Sequence, residues 1–207
     1  MEKKMLDILV VESGFAHVCH AEDYFLEQSV HFSDVKTLRE AREYLINHTP
    51  DGIICDIFMD TGYGSEEDMA NKEEVAAMLH ICLGSNSRYH IGIDEWCEPN
   101  KEGPMGVLLY EEFAESIPFV FCTDRNHHNE LMEPVFQYVL CQEEYSVLDR
   151  LNAGRVLVDA QCDPLCSVER KNWGHAHKVM GKLIDYAKDN ELHKVKPPSY
   201  FSFADWL

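Results

Sequence analysis

Short runs of apolar residues alternate along the chain with longer segments whose apolar residues recur at helical spacing. Runs of strand length cover residues 7–13, 30–32, 53–59, 117–124 and 155–160. Apolar positions at the i, i+3, i+4 spacing predict helices in the segments between and after these runs. The pattern therefore predicts strands that alternate with helices, which is typical of an α/β domain with a parallel sheet.

The predicted helices differ in how clearly their ends are marked. The clearest one carries Val35, Leu38, Ala41 and Leu45 on one face, is capped by Ser33 or Asp34 in this interpretation, and ends at the turn "TPDG". The other helical segments cover residues 21–28, 65–84, 106–116, 129–154 and 175–191. We expect a doubly wound parallel sheet of about five strands, within a single domain over residues 1–207.

Charge and composition narrow the range of functions. Lys and Arg number 18 against 37 Asp and Glu, a net charge of −19, which disfavours direct binding to nucleic acid. No apolar run approaches the roughly 20 residues that a membrane-spanning helix needs, so we expect no membrane span. The eight cysteines come without a secretory signal, and we therefore expect free thiols and a cytoplasmic location.

Polar side chains follow three of the predicted strands at the point where each strand ends. Because the carboxyl ends of parallel strands meet at one edge of the sheet, we expect these side chains to lie close together. Carboxylates at one edge suit a hard cation such as Mg²⁺. The residues in question are Glu12 and Ser13, Asp56 and Asp60, and Thr123 and Asp124.

The chain resembles the response-regulator receiver family through "DILVVES", "VHFSDVKTLREAREYLINHTPDGIICDIFMD" and "PMGVLLYEEFAESIPFVFCTD". The resemblance implies a flavodoxin-like, receiver-like sheet. It also implies that Asp56 is the phosphoacceptor, that Glu12 and Asp56 bind Mg²⁺, and that Thr123 contacts the phosphoryl group. A hydroxyl residue that bonds the phosphoryl group would pull its loop inward and so switch a protein contact.

The function implied by this resemblance is signal transduction in a two-component phosphorelay. A histidine kinase or a phosphotransfer protein would donate the phosphoryl group, and a downstream protein would read the phosphorylated state. The chain would not be a conventional enzyme beyond receiver-type self-phosphorylation. Output through protein contact is expected, since no DNA-binding signature follows the predicted sheet.

The chain departs from the family pattern in several places. Ser13 stands where a second acid is usual, and Asp60 stands where a proline is usual. No counterpart of the family's lysine after the fifth strand can be placed, the nearest downstream lysine being Lys171. The chain is also longer than a compact receiver, with an insertion at about residues 61–104 and a C-terminal extension at about residues 161–207.

Three alternatives stay open at the level of sequence. The first is a pseudo-receiver, which acts through protein contacts without phosphotransfer and is favoured by Ser13 and the missing lysine. The second is a metal-dependent phosphohydrolase that uses Asp56 or Asp60. The third is a structural zinc site, which the spacing disfavours because one residue separates its two histidines; its ligands would be Cys162, Cys166, His175 and His177.

Overall fold

The computed structural model describes residues 5–83, 102–123, 135, 157–159 and 171–189. Strands and helices alternate within these ranges. The strands are β1 (Asp7–Val11), β2 (His31–Val35), β3 (Gly52–Cys55), β4 (Phe119–Thr123) and β5 (Leu157–Asp159). The helices are α1 (Phe15–Glu27), α2 (Leu38–Asn47), α3 (Ser65–Leu83), α4 (Gly106–Phe113) and α5 (Trp173–Asp189).

The described strands pair in parallel, in the order β2-β1-β3-β4-β5. β1 lies between β2 and β3, with Val11 opposite both Val35 and Cys55. Next to β3 lies β4, with Phe121 opposite Cys55. The predicted α/β class with a parallel sheet is thus confirmed. The carboxyl ends of the described strands all point to the same edge, where Glu12, Asp56 and Thr123 lie.

Side chains alternate between two faces of the sheet, and helices cover both faces. One face packs Leu9, Ile53 and Phe119 against buried side chains of α2, α3 and α4. The other face packs Ile8, Val10, Ile54 and Val120 against α1 and α5. Strands that are buried on both faces need continuous apolar sequence, which explains the runs in β1, β3 and β4.

The start of α2 differs from the prediction. Ser33 and Asp34 belong to β2, which is an edge strand in the order above, and its residues are exposed or half-buried. An edge strand exposed in this way lacks a continuous apolar run. The sequence pattern therefore predicted that this strand ends at Phe32, whereas β2 continues to Val35. The helix is capped by Thr37, whose hydroxyl accepts a hydrogen bond of 3.2 Å from the amide of Glu40.

The segment after β3 docks on two neighbours. The carbonyls of Asp60 and Thr61 accept hydrogen bonds from the first amides of α2, at 3.1 and 3.0 Å. Met59 pairs in antiparallel fashion with Gly103 through two backbone hydrogen bonds of 3.0 and 3.2 Å. These bonds fix both ends of the region predicted as an insertion. The described part of this region includes α3, whose Val75 lies in the core.

Helix α5 belongs to the main core. It lies within residues 161–207, predicted as a C-terminal extension, yet its Ala176, Met180 and Ile184 are fully buried against the sheet. This part of the predicted extension is therefore a layer of the domain. The helix predicted over residues 129–154 lies outside the described residues, except for Val135, which is buried.

None of the helices in the described ranges is both long enough and apolar enough to cross a bilayer.

Candidate functional site

The ladder of the sheet positions Glu12 and Asp56 one residue beyond the ends of β1 and β3. The amide of Glu12 donates to the carbonyl of Val35 at 2.9 Å, and the amide of Asp56 donates to the carbonyl of Val11 at 2.8 Å. These bonds continue the parallel pairing past the assigned strands. Both carboxylates are therefore held at the carboxyl edge of the sheet by backbone contacts.

A buried lysine joins these two carboxylates. The ammonium of Lys171 lies 2.7 Å from Asp56 Oδ2 and also donates a hydrogen bond to Glu12 Oε2. The three side chains are almost fully buried, with exposed fractions of 0% for Lys171, 2% for Glu12 and 8% for Asp56. We call this group the buried triad. A lysine buried to this extent requires paired charges, since an isolated ammonium is costly to remove from water.

Further hydrogen bonds orient the two carboxylates of the buried triad. Glu12 Oε1 accepts a bond of 2.7 Å from the amide of Gly14. Asp56 Oδ1 accepts a longer bond of 3.4 Å from the amide of Phe58. Each carboxylate thus has one oxygen directed at Lys171 and the other at a backbone amide. This division fixes both side chains while leaving lone pairs on their oxygens.

Burial and neighbouring charges shift the pKa values of Glu12 and Lys171. Burial raises the pKa of Glu12; Lys171 opposes that change and Asp56 adds to it, and the net direction is upward. Burial lowers the pKa of Lys171, but the carboxylates of Asp56 and Glu12 raise it, and the net direction is again upward. Lys171 is therefore a cation at neutral pH, and Glu12 takes up a proton more readily than an ordinary glutamate does.

Asp124 lies outside the described residues, and the other two predicted site residues, Thr123 and Asp60, lie at distinct places. Thr123 is the last residue of β4 and is buried at the same carboxyl edge as the triad. Asp60 is exposed, and its carboxylate accepts a bond of 3.1 Å from the amide of Gly62 in a turn with positive φ. Asp60 thus stabilises a turn, a role that differs from that of Asp56.

Lys171 is the site residue that sequence reasoning missed. In the sequence it is only the nearest lysine downstream of the fifth strand, and the structure brings it onto Asp56. Residues 160–170 separate Lys171 from β5 in the sequence. The lysine therefore does not follow the end of the strand closely enough for the sequence to place it at the site. The signal in the sequence that could have placed Lys171 is the amphipathic helix that begins at Trp173. Because this helix follows β5, a lysine just before it lies at the same edge as the strand ends.

The carboxylates of the triad fit Mg²⁺ by their chemistry. Mg²⁺ is usually bound in proteins by one or two carboxylates, with waters and phosphate oxygens completing its ligands. Glu12 and Asp56 supply two carboxylates at one edge. Within the described ranges, no cluster of three or more Asp, Glu, His or Cys side chains could hold a metal ion by itself.

The zinc hypothesis falls partly outside the described residues, since Cys162 and Cys166 are not among them. His175 is exposed at the start of α5, and the Nδ1 atom of His177 lies 3.1 Å from the hydroxyl of Tyr24. Cys55 and Cys122 are buried, as expected from their positions in strands. Burial raises the pKa of the Cys55 thiol well above its ordinary value, which makes it a poor nucleophile.

Comparisons of this chain with protein-family models, with curated proteins and with solved structures found no match.

Proposed function

We propose that this chain is a receiver-like signalling protein in which Asp56 accepts a phosphoryl group. The observation that carries the proposal is the ion pair of 2.7 Å between Lys171 and Asp56. A buried cation beside a carboxylate at the carboxyl edge of a parallel sheet is suited to neutralise charge that arrives on that carboxylate. The strand order β2-β1-β3-β4-β5, which is that of flavodoxin-like folds, supports the same proposal.

The proposed reaction moves one phosphoryl group and needs no oxidant or reductant. The P–N bond of a donor phosphohistidine breaks while a P–O bond forms to an oxygen of Asp56. The leaving imidazole keeps the electron pair of the broken bond and takes up a proton. The ammonium of Lys171 pairs with the phosphorylated side chain, which carries more negative charge than the carboxylate that it replaces.

Other residues at the edge have supporting roles in this proposal. Glu12 and Asp56 would hold Mg²⁺, which when bound supplies charge neutralisation for the phosphoryl oxygens. Thr123, the last residue of β4, would bond a phosphoryl oxygen with its hydroxyl. That bond would draw the end of β4 toward Asp56 and change the surface offered to a downstream protein.

The proposed partners follow from this chemistry. A histidine kinase or a histidine-containing phosphotransfer protein would donate the phosphoryl group in the cytoplasm, and a second protein would bind the phosphorylated form. The net charge of −19 supports output through protein contact instead of through nucleic acid.

A pseudo-receiver is the second candidate, and a specific observation favours it. The side chain of Asp56 is only 8% exposed, and Lys171 already satisfies one of its oxygens. A site this closed could serve as a structural ion pair that holds α5 to the sheet. The protein would then act through its surface without phosphotransfer.

Phosphorylation by a small donor separates these candidates. The full chain is incubated with acetyl phosphate and Mg²⁺, and its intact mass is recorded beside those of Asp56→Asn and Asp60→Asn. We expect the parent and Asp60→Asn to gain one phosphoryl group and Asp56→Asn to gain none. No gain by the parent at any donor concentration would favour the pseudo-receiver, and continuous release of phosphate at many turnovers would favour the phosphohydrolase.

A further inference from the structure

The guanidinium of Arg42 joins three helices on the face of the sheet that α2, α3 and α4 cover. Its Nε atom lies 3.0 and 3.1 Å from the two carboxylate oxygens of Glu112 in α4, and its Nη2 atom also donates to Glu112. Its Nη1 atom donates a bond of 3.2 Å to the side-chain oxygen of Asn71 in α3. Arg42 itself belongs to α2, and its side chain is only 17% exposed. One cation therefore links α2 to both of its neighbours.

A second carboxylate, that of Glu74, faces the same cation. Glu74 follows Asn71 by three positions in α3, so the two side chains project from one side of the helix. It is half-buried, and the charges that act on it are Arg42 of α2 and Glu112 of α4. The donors of Arg42 are directed at Glu112 and Asn71, and Tyr63, just before α3, also lies close to the guanidinium. Glu74 thus competes with other groups for one cation.

The surroundings of Glu74 favour its protonated form when α3 is packed. Burial raises the pKa of Glu74, Arg42 lowers it and Glu112 raises it, and the net direction is upward. An acid with a higher pKa in the packed state binds a proton more strongly there than in the open state. Packing of α3 is therefore strongest when Glu74 is protonated, and it weakens as pH rises through the pKa of the packed state.

Few other contacts attach α3 to the domain. In its part at residues 66–78, Val75 is the apolar side chain that is fully buried. Near the start of the helix, Asp68 accepts a bond of 2.5 Å from the hydroxyl of Thr61 and lies 3.5 Å from the ammonium of Lys72. A helix with so little buried apolar surface depends on its polar contacts to stay in place.

We propose that Arg42, Glu112 and Glu74 form a proton-sensitive latch, which holds α3 against α2 and α4 tightly when Glu74 is protonated and less tightly when Glu74 is ionised. With both glutamates ionised, the cluster has two negative charges and one positive charge. With Glu74 protonated, the charges balance. The latch is separate from the buried triad and does not depend on the phosphoacceptor role of Asp56.

Hydrogen exchange of the full chain, measured by mass spectrometry on peptides from α3, tests the latch. The rates are corrected for the intrinsic effect of pH on exchange and are compared at about pH 5 and about pH 7. We expect the protection of α3 in the parent to fall toward pH 7. Glu74→Gln should keep about two- to fivefold more protection than the parent at that pH and differ little from it at pH 5. The exposed Glu73 of the same helix provides the control Glu73→Gln, which should follow the parent.

A second variant tests the competition for Arg42. Glu112→Gln should lose the fall in α3 protection toward pH 7, because Arg42 then pairs with Glu74 alone. Persistence of the fall in Glu112→Gln, or equal pH dependence in the parent and in Glu74→Gln, would overturn the latch. So would α3 amides of the parent that exchange no faster than those of β3 at both pH values, since α3 would then open only with the whole fold. Asp56→Asn should show the same α3 exchange as the parent, so the latch and the proposed function can fail independently.

Discussion

The ammonium of Lys171 lies 2.7 Å from the carboxylate of Asp56, although β4 and β5 come between them in the chain. This contact joins the segment just before α5 to the residue that directly follows β3. It links the stability of the fold to the chemistry of the site, because breaking a buried ion pair leaves an uncompensated charge in the core.

Replacement of Lys171 by Met should destabilise the protein in a pH-dependent way. At pH 8 we expect a loss of about 3–5 kcal/mol, because Glu12 and Asp56 remain buried beside each other without a cation. Lys171 lowers the pKa of Glu12, so its removal raises that pKa further above the ordinary value. An acid with a raised pKa in the folded state costs stability as pH rises, so the deficit should shrink as pH falls from 8 toward 5.

Urea unfolding of the parent and of Lys171→Met at pH 8 and pH 5.5 measures this deficit. Lys182→Met, at an exposed position of α5, is the control and should unfold as the parent does. A deficit that is the same at both pH values would contradict the proposed coupling between Lys171 and Glu12.

Gly106 should tolerate no side chain. It begins α4, and a Cβ atom there would lie 2.4 Å from the carbonyl oxygen of Asp56 and 3.0 Å from Cα of Ile57. These are backbone atoms next to the proposed phosphoacceptor and cannot rotate away. We expect Gly106→Ala to lower the free energy of unfolding by about 1–3 kcal/mol, and to lower the rate of phosphorylation of Asp56 as well.

Gly52→Ala is the matched comparison for Gly106→Ala. A Cβ atom at Gly52 would meet the side chain of Met180, with the sulfur at 2.3 Å. A methionine can change its rotamer, and Gly52 lies at the start of β3, away from the carboxyl edge. Thermal unfolding should therefore show the smaller loss for Gly52→Ala, and its phosphorylation rate should equal that of the parent. The reverse order would contradict the close packing of α4 against Asp56.

His177 should make the fold sensitive to mild acid. Burial lowers the pKa of His177 below its ordinary value, and its ring packs against Tyr24 and Phe25. A histidine whose pKa is lowered by folding contributes stability above its unfolded pKa of about 6.5, and this contribution is lost as pH falls through the folded pKa. His177→Gln should therefore lose less stability than the parent between pH 7 and pH 5.

Thermal unfolding over this pH range measures the effect of His177. The exposed His175, two residues earlier on the same helix, provides the control His175→Gln, whose pH dependence should follow that of the parent. Equal slopes for the parent and for His177→Gln would contradict the prediction.

The sequence predicted the central parts of the fold because these parts are buried on both sides. β1, β3 and β4 are continuous apolar runs whose residues lie in the core, and Glu12, Asp56 and Thr123 follow directly from where these runs end. The parallel arrangement then places the three residues at one edge, as expected.

The parts that the sequence did not predict depend on contacts between distant segments. β2 is an exposed edge strand without an apolar run, so its end and the Thr37 cap were misplaced. Lys171 reaches the edge from a segment that no spacing rule connects to the strand ends. Its contact with Asp56 becomes visible only when the backbone brings the two segments together.

The most direct test of the central claim is to locate the phosphoryl group on the chain. After incubation with acetyl phosphate and Mg²⁺, the acyl phosphate is reduced with borohydride, and the proteolytic peptides are analysed by mass spectrometry. We predict that the reduced residue is Asp56, in the peptide that contains the end of β3, and that it is absent without the donor. Modification at any other residue, or none under conditions where the protein is folded, would contradict the role of Asp56 as phosphoacceptor.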